Sequence, residues 1–134
     1  FEAGTPSIVE AIGMGAALDY LDAIGVGKIS AHEEGILHYA TERLSQVEGL
    51  KIIGQASDKA AIISFIMDGV HAHDIGTIID RAGVAVRVGH HCAQPVMERF
   101  GIAATARASF GLYNTPTEVD TLVEALGAVR EFFG

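Results

Sequence analysis

Cysteine is almost missing from this sequence: Cys92 stands alone among 134 residues. No disulfide can form within the chain, so export to an oxidising compartment finds no support, and a free thiol in a reducing cytosol is the expectation. No apolar run approaches the roughly 20 residues that span a bilayer, and the start lacks the basic-then-apolar pattern of a secretion signal. Cationic residues are scarce as well. Nine Lys and Arg against seventeen Asp and Glu give a net charge of −8, whereas nucleic acid and anionic membranes both demand clustered positive charge. Neither is an expected partner. There is no internal repeat, linker or low-complexity tract. The chain opens on Phe1 without methionine and reads as an internal piece of a longer protein.

What is plentiful is apolar side chain, at 49%, with only 19% charged. A single domain of this length buries roughly two thirds of its unfolded surface. The surplus predicts an apolar face meant for something outside the chain.

Periodicity divides the sequence into elements. Ile8, Ile12, Ala16, Tyr20 and Ile24 recur every fourth residue up to Gly25, predicting a helix from about Ser7 to Ile24. From Lys28, the positions Ile29, Ile36, Ala40, Leu44 and Val47 carry a second helix toward Gly49. Lys51 to Gly54 and Ala61 to Met67 are β-prone runs separated by a polar stretch. A helix is predicted over His73 to Ala82, with Gly83 closing it, then a strand over Val84 to Arg87 and another over Thr105 to Phe110. Thr115, Pro116 and Glu118 form a capping-box start for a last helix running to Phe133. The order predicts an α+β domain with helices packed on a small, mostly antiparallel sheet.

Chemistry concentrates in Arg87-Val88-Gly89-His90-His91-Cys92-Ala93-Gln94-Pro95. A thiol beside cationic groups, or ahead of a helix starting near Pro95, is a candidate nucleophile; an inert buried cysteine is the other reading. His71, His73, His90, His91 and Cys92 include zinc-ligand types, but their spacing matches no standard zinc pattern, so no permanent metal is expected. Arg107 lies among small and apolar neighbours and needs an anion. That anion is either the carboxylate of an amino-acid substrate or a structural acidic partner. Gly4 and Thr5, ahead of Pro6, either cap the first helix or offer N–H and hydroxyl groups to a phosphate.

Three segments in order, FEAGTP, RVGHHCAQP and ARASFGLYNT, closely resemble the type II (SUF-type) cysteine desulfurase and selenocysteine lyase family, within the class-V aminotransferases. The resemblance runs over essentially the whole chain. It implies the small C-terminal domain of a fold-type I pyridoxal 5'-phosphate (PLP) enzyme that converts L-cysteine, or L-selenocysteine, to alanine. Cys92 then matches the residue that becomes a persulfide, for iron-sulfur cluster assembly. Arg107 matches the grip on the substrate carboxylate, and Arg87 lines the site near the cofactor. Thr5, with Gly4, reaches the PLP phosphate of the other subunit of a homodimer. His73 matches a histidine that contacts a zinc-containing sulfur acceptor protein, and His91 in HHCAQP falls in the same subgroup pattern. One departure is plain. The family's Schiff-base lysine follows a Ser-x-His segment, and Lys28, Lys51 and Lys59 have no such setting. The large cofactor-binding domain is therefore expected outside residues 1–134, and this stretch alone is expected to be inactive. The competing reading is a non-catalytic α+β metal-binding or assembly domain that uses its histidines and Cys92.

Overall fold

The computed structural model describes residues 3–134; Phe1 and Glu2 of the FEAGTP segment lie outside the described residues. The expected α+β class is what forms. Helix α1 (Ile8–Ile24) is followed by α2 (Val26–Ser45), then strands β1 (Leu50–Ile53) and β2 (Ile62–Met67). Helix α3 (Ala72–Asp80) leads to β3 (Arg87–Gly89), and α4 (Gln94–Phe100) leads to β4 (Thr105–Ser109) and α5 (Pro116–Phe133). The strands lie in the order β1-β2-β4-β3 with every pairing antiparallel.

Alternation along the strands sends one face of this sheet into the core. Ile63, Phe65, Ala106 and Ala108 face α2, α3 and α5 and are buried. Alanines on β4 leave room for the helix layer to approach. Gly76 on α3 does the same at closer range: a Cβ there would lie 2.9 Å from a Val88 γ carbon, so α3 seats against β3 only because residue 76 has no side chain. Two polar ties lock α2 to α5. The Asp120 carboxylate accepts from the Tyr39 hydroxyl and from Arg43 Nε, both at 2.9 Å. At the start of α5 the Glu118 carboxylate accepts the Thr115 N–H at 2.8 Å, the return half of the expected capping box.

Four expectations are corrected by packing. Helix α2 stops at Ser45 rather than reaching Gly49, because the chain turns there to let Leu50 pair with Met67. Helix α3 ends at Asp80, two residues early, and His71 becomes its N-cap. The strand expected over Val84 to Arg87 begins only at Arg87, since the ladder with β4 spans Arg87↔Arg107 to Gly89↔Thr105. Val84 and Val86 pack half-buried against the core without ladder partners. Lastly, the cap of α1 is Ser7, not Thr5, which leaves Thr5 outside the helix.

Helix α1 buries none of its residues, and Ile12 is 70% exposed. Its fourth-residue stripe, which in a closed domain would face a core, is exposed at Ile8, Ile12 and Tyr20; the Tyr113 hydroxyl donates to the Tyr20 hydroxyl at 2.9 Å, and α1 meets α2 where Gly25 joins them. The predicted surplus of apolar surface is located here. No helix among the described residues is long and apolar enough to cross a membrane.

These burials separate two substitutions. Phe65→Ala removes a fully buried ring and should cost about 3–5 kcal/mol, whereas Ile12→Ser should change stability by no more than about 0.5 kcal/mol. Urea unfolding of this chain checks both; a comparable loss from Ile12→Ser would show that α1 packs on its own domain.

Candidate active site

The face of the sheet opposite the helices carries the candidate residues of β3 and β4. On β4 the alternation that buries Ala106 and Ala108 turns Thr105 and Arg107 the other way, and the β3 register sets Arg87 directly opposite Arg107. Opposed side chains in such a ladder have Cβ atoms about 5 Å apart, and like charges there repel. Ser64 of β2 flanks Arg107 on its other side and offers no charge. No carboxylate of the described residues pairs with either arginine, and Arg107 Nε is buried without a hydrogen-bond partner. In a chain of net charge −8 this is a local positive focus, and a guanidinium with an unused buried N–H is built for an anion. The expectation of a structural acidic partner for Arg107 is not met among the described residues.

Just beyond β3 the chain reverses. Ala93 N–H donates to His90 O at 2.9 Å, and the two residues between, His91 and Cys92, both have φ of +57°. Paired positive φ values are the mark of a type I′ turn, a conformation that normally selects Gly or Asn. The turn holds Cys92 exposed. The inert buried cysteine is thereby ruled out, and the thiol is presented on the turn that follows β3, the strand that carries Arg87.

His91 turns inward. Its Nε2 lies 2.8 Å from Thr105 Oγ1, Thr105 being fully buried, and its Nδ1 is buried with no partner. Burial first, then the Arg107 guanidinium, holds the His91 imidazole below its ordinary pKa. In the sequence Thr105 shows only as a polar break in the Thr105 to Phe110 run; nothing local to it signals that its hydroxyl is sealed under His91. His90 stays exposed.

The other expected residues lie apart from the turn. His73 is exposed in the first turn of α3, where its N–H donates to His71 Nδ1 at 3.2 Å. Gly4 and Thr5 are exposed ahead of α1. No three His, Cys, Asp or Glu side chains among the described residues converge on a metal position, so the metal-binding alternative has no supporting cluster. An open groove of about 870 Å³ runs between α2 and the Gln55 to Ala61 loop, away from Cys92. Cys92, Arg87 and Arg107 line neither this groove nor two smaller cavities of about 340 and 270 Å³; Cys92 and Arg87 are exposed and Arg107 is half-buried.

Comparison with known proteins gives this surface a context. The family profile described as Aminotransferase class-V matches residues 1–122. A probable cysteine desulfurase of Streptomyces coelicolor is 55% identical over 136 aligned residues, covering 100% of this chain and 32% of that protein. The crystal structure of the cysteine desulfurase CsdA (S-sulfonic acid) from Escherichia coli superposes with a TM-score of 0.92 at 33% identity, over 100% of this chain and 33% of that one. The apo structure of a cysteine desulfurase from Thermococcus onnurineus gives 0.89 at 41% identity, over 99% and 33%. The chain spans about a third of the length of the curated relatives it matches.

The site makes one pH prediction. A histidine whose folded pKa is depressed binds protons more readily when unfolded, so its contribution to stability is complete above about pH 6.5 and is lost as pH falls toward the folded value. The His91 ring should titrate below 6.5 by NMR, with the urea midpoint falling over the same interval. Titration of His91 at or above the ordinary value would contradict the inward burial.

Proposed function

The chain belongs to the class-V aminotransferase family, and from that premise we propose that it is the C-terminal small domain of a longer PLP enzyme, a cysteine desulfurase. That enzyme moves sulfur from L-cysteine onto Cys92. The observation that carries the reading is the exposed thiol on a left-handed turn that directly follows the ladder of two opposed arginines, one with a buried, unpartnered N–H.

The net reaction balances without an external oxidant: L-cysteine plus the Cys92 thiol gives L-alanine plus a Cys92 persulfide. The substrate's carbon–sulfur bond breaks and a sulfur–sulfur bond forms at Cys92 Sγ. PLP, when bound, supplies the electron sink that makes the carbon–sulfur bond cleavable. Arg107 grips the substrate carboxylate, filling the N–H that the fold leaves unused, and Arg87 across the ladder reinforces the positive potential. Cys92 is the nucleophile.

The residues present fit the substrate side of such a site but not the covalent attachment of the cofactor. Lys51 is on β1, the sheet edge opposite β3, Lys28 opens α2, and Lys59 precedes β2; none stands on β3, β4 or the turn. We assign the Schiff-base lysine and the cofactor-binding large domain to the rest of the longer protein, which also covers α1. The exposed Gly4 and Thr5 suit a phosphate held by another subunit, as in a homodimer. The exposed His73 suits contact with a zinc-containing sulfur acceptor, as in the SUF-type branch, in cytoplasmic iron-sulfur cluster assembly. The same grip and thiol serve L-selenocysteine.

In the full-length enzyme, Cys92→Ala should retain PLP and cysteine binding and lose persulfide formation, read by mass spectrometry after mixing with cysteine. Arg107→Ala should raise the KM for cysteine by roughly 10–100-fold, the worth of a charge-assisted pair. Persulfide on Cys92→Ala, or an unchanged KM in Arg107→Ala, would refute the respective role.

His73→Ala should spare the first persulfide turnover and sharply reduce stimulation by a zinc-containing acceptor. Full stimulation would point instead to a metal-free acceptor.

A further inference from the structure

Three left-handed residues fall within four positions around the thiol: Gly89 at φ +121°, and His91 and Cys92 at +57°. A Cβ at Gly89 would meet nothing within 4 Å, so that site needs glycine for its φ and not for room. His91 and Cys92 have no such freedom. A left-handed backbone is strained for a non-glycine residue and persists only where its surroundings hold it. The Ala93-to-His90 bond closes the turn from within but does not fix it to the domain.

One side-chain bond does. His91 Nε2 meets Thr105 Oγ1 at 2.8 Å, and Thr105 is the sole buried polar residue among the described residues, at 0% exposure. Thr105 lies opposite Gly89 in the β3–β4 register, beside the point where the turn leaves the sheet. A sealed hydroxyl that needs a partner and a strained turn that needs an anchor thus meet in one bond. We propose that the Thr105 hydroxyl and the His91 imidazole form a strut that fixes the turn and aims Cys92, making both positioning residues for the thiol. The effect on sulfur transfer rests on the desulfurase reading above; the effect on the thiol's own presentation does not. Without the strut the turn relaxes toward negative φ and the Cys92 side chain swings. A misplacement near 1 Å is enough to slow a reaction by about 100-fold.

The test uses the full-length holoenzyme with Thr105→Val, which keeps the shape and deletes the hydroxyl, and Thr105→Ser, which keeps the hydroxyl and deletes a methyl. Thr105→Val should slow single-turnover alanine formation about tenfold or more, with the KM for cysteine and the PLP absorbance unchanged, and Thr105→Ser should restore most of the rate. His91→Asn, which tolerates the left-handed backbone but is too short for the bond, should behave like Thr105→Val. A second readout omits cysteine altogether: alkylation of Cys92 by iodoacetamide should change in Thr105→Val and His91→Asn and remain at the parent rate in Thr105→Ser. Parent rates in Thr105→Val and His91→Asn, or equal impairment by Val and Ser at position 105, would overturn the strut. If the parent protein makes no alanine from cysteine, the desulfurase reading fails, and the alkylation contrast still decides the strut.

Discussion

The pairing of β4 between β2 and β3 is the constraint on which the rest depends. Its period-two alternation splits one five-residue strand between two tasks: small alanines against the helix layer, Thr105 and Arg107 on the opposite face. The register then brings Arg87 beside Arg107 and Gly89 beside Thr105. A slip of one residue would put an arginine into the core and an alanine into the site. Thirteen residues after Cys92 in sequence, Thr105 becomes its structural support only through this ladder.

The exposure of Cys92 and Arg87 shows a candidate site that is formed on one side and left open on the other. Thiol, arginines and anchor are all supplied by one sheet edge and its turn, while the walls that would exclude water are not among them. Helix α1, apolar and unburied on its own domain, has the same character. Both surfaces are finished on one side only, in keeping with a chain that spans about a third of its relatives.

On the proposed reading of Cys92 as the nucleophile, its strain and exposure serve a single requirement. A nucleophile that must meet a substrate and afterwards release its product to another molecule cannot be packed into the core, yet must not wander. A left-handed turn projects the side chain; a buried hydrogen bond to a rigid strand limits its freedom. Burying the imidazole near Arg107 keeps it neutral over a wider pH range, so the support does not become a third cation beside two arginines.

The sequence by itself determined the order of the elements other than α4, whose stretch reads as a loop, together with the α+β class and the clustering of Arg87 with the HHC segment, because these depend on local periodicity, caps and chain adjacency. The capping box at Thr115 and the glycine stop at Gly25 are local hydrogen-bonding and φ preferences, legible one turn at a time. The shift of β3 to Arg87–Gly89, the opposition of Arg87 and Arg107, the inward turn of His91 and the burial of Thr105 were decided only in the tertiary structure. Each of these results from pairing residues distant in sequence, and a ladder's register is an energy shared by two strands and the layer packed on them. The stripe on α1 marks the same limit: periodicity declares that a helix has an apolar face, but what lies against that face is settled by the other elements with which the chain can pack.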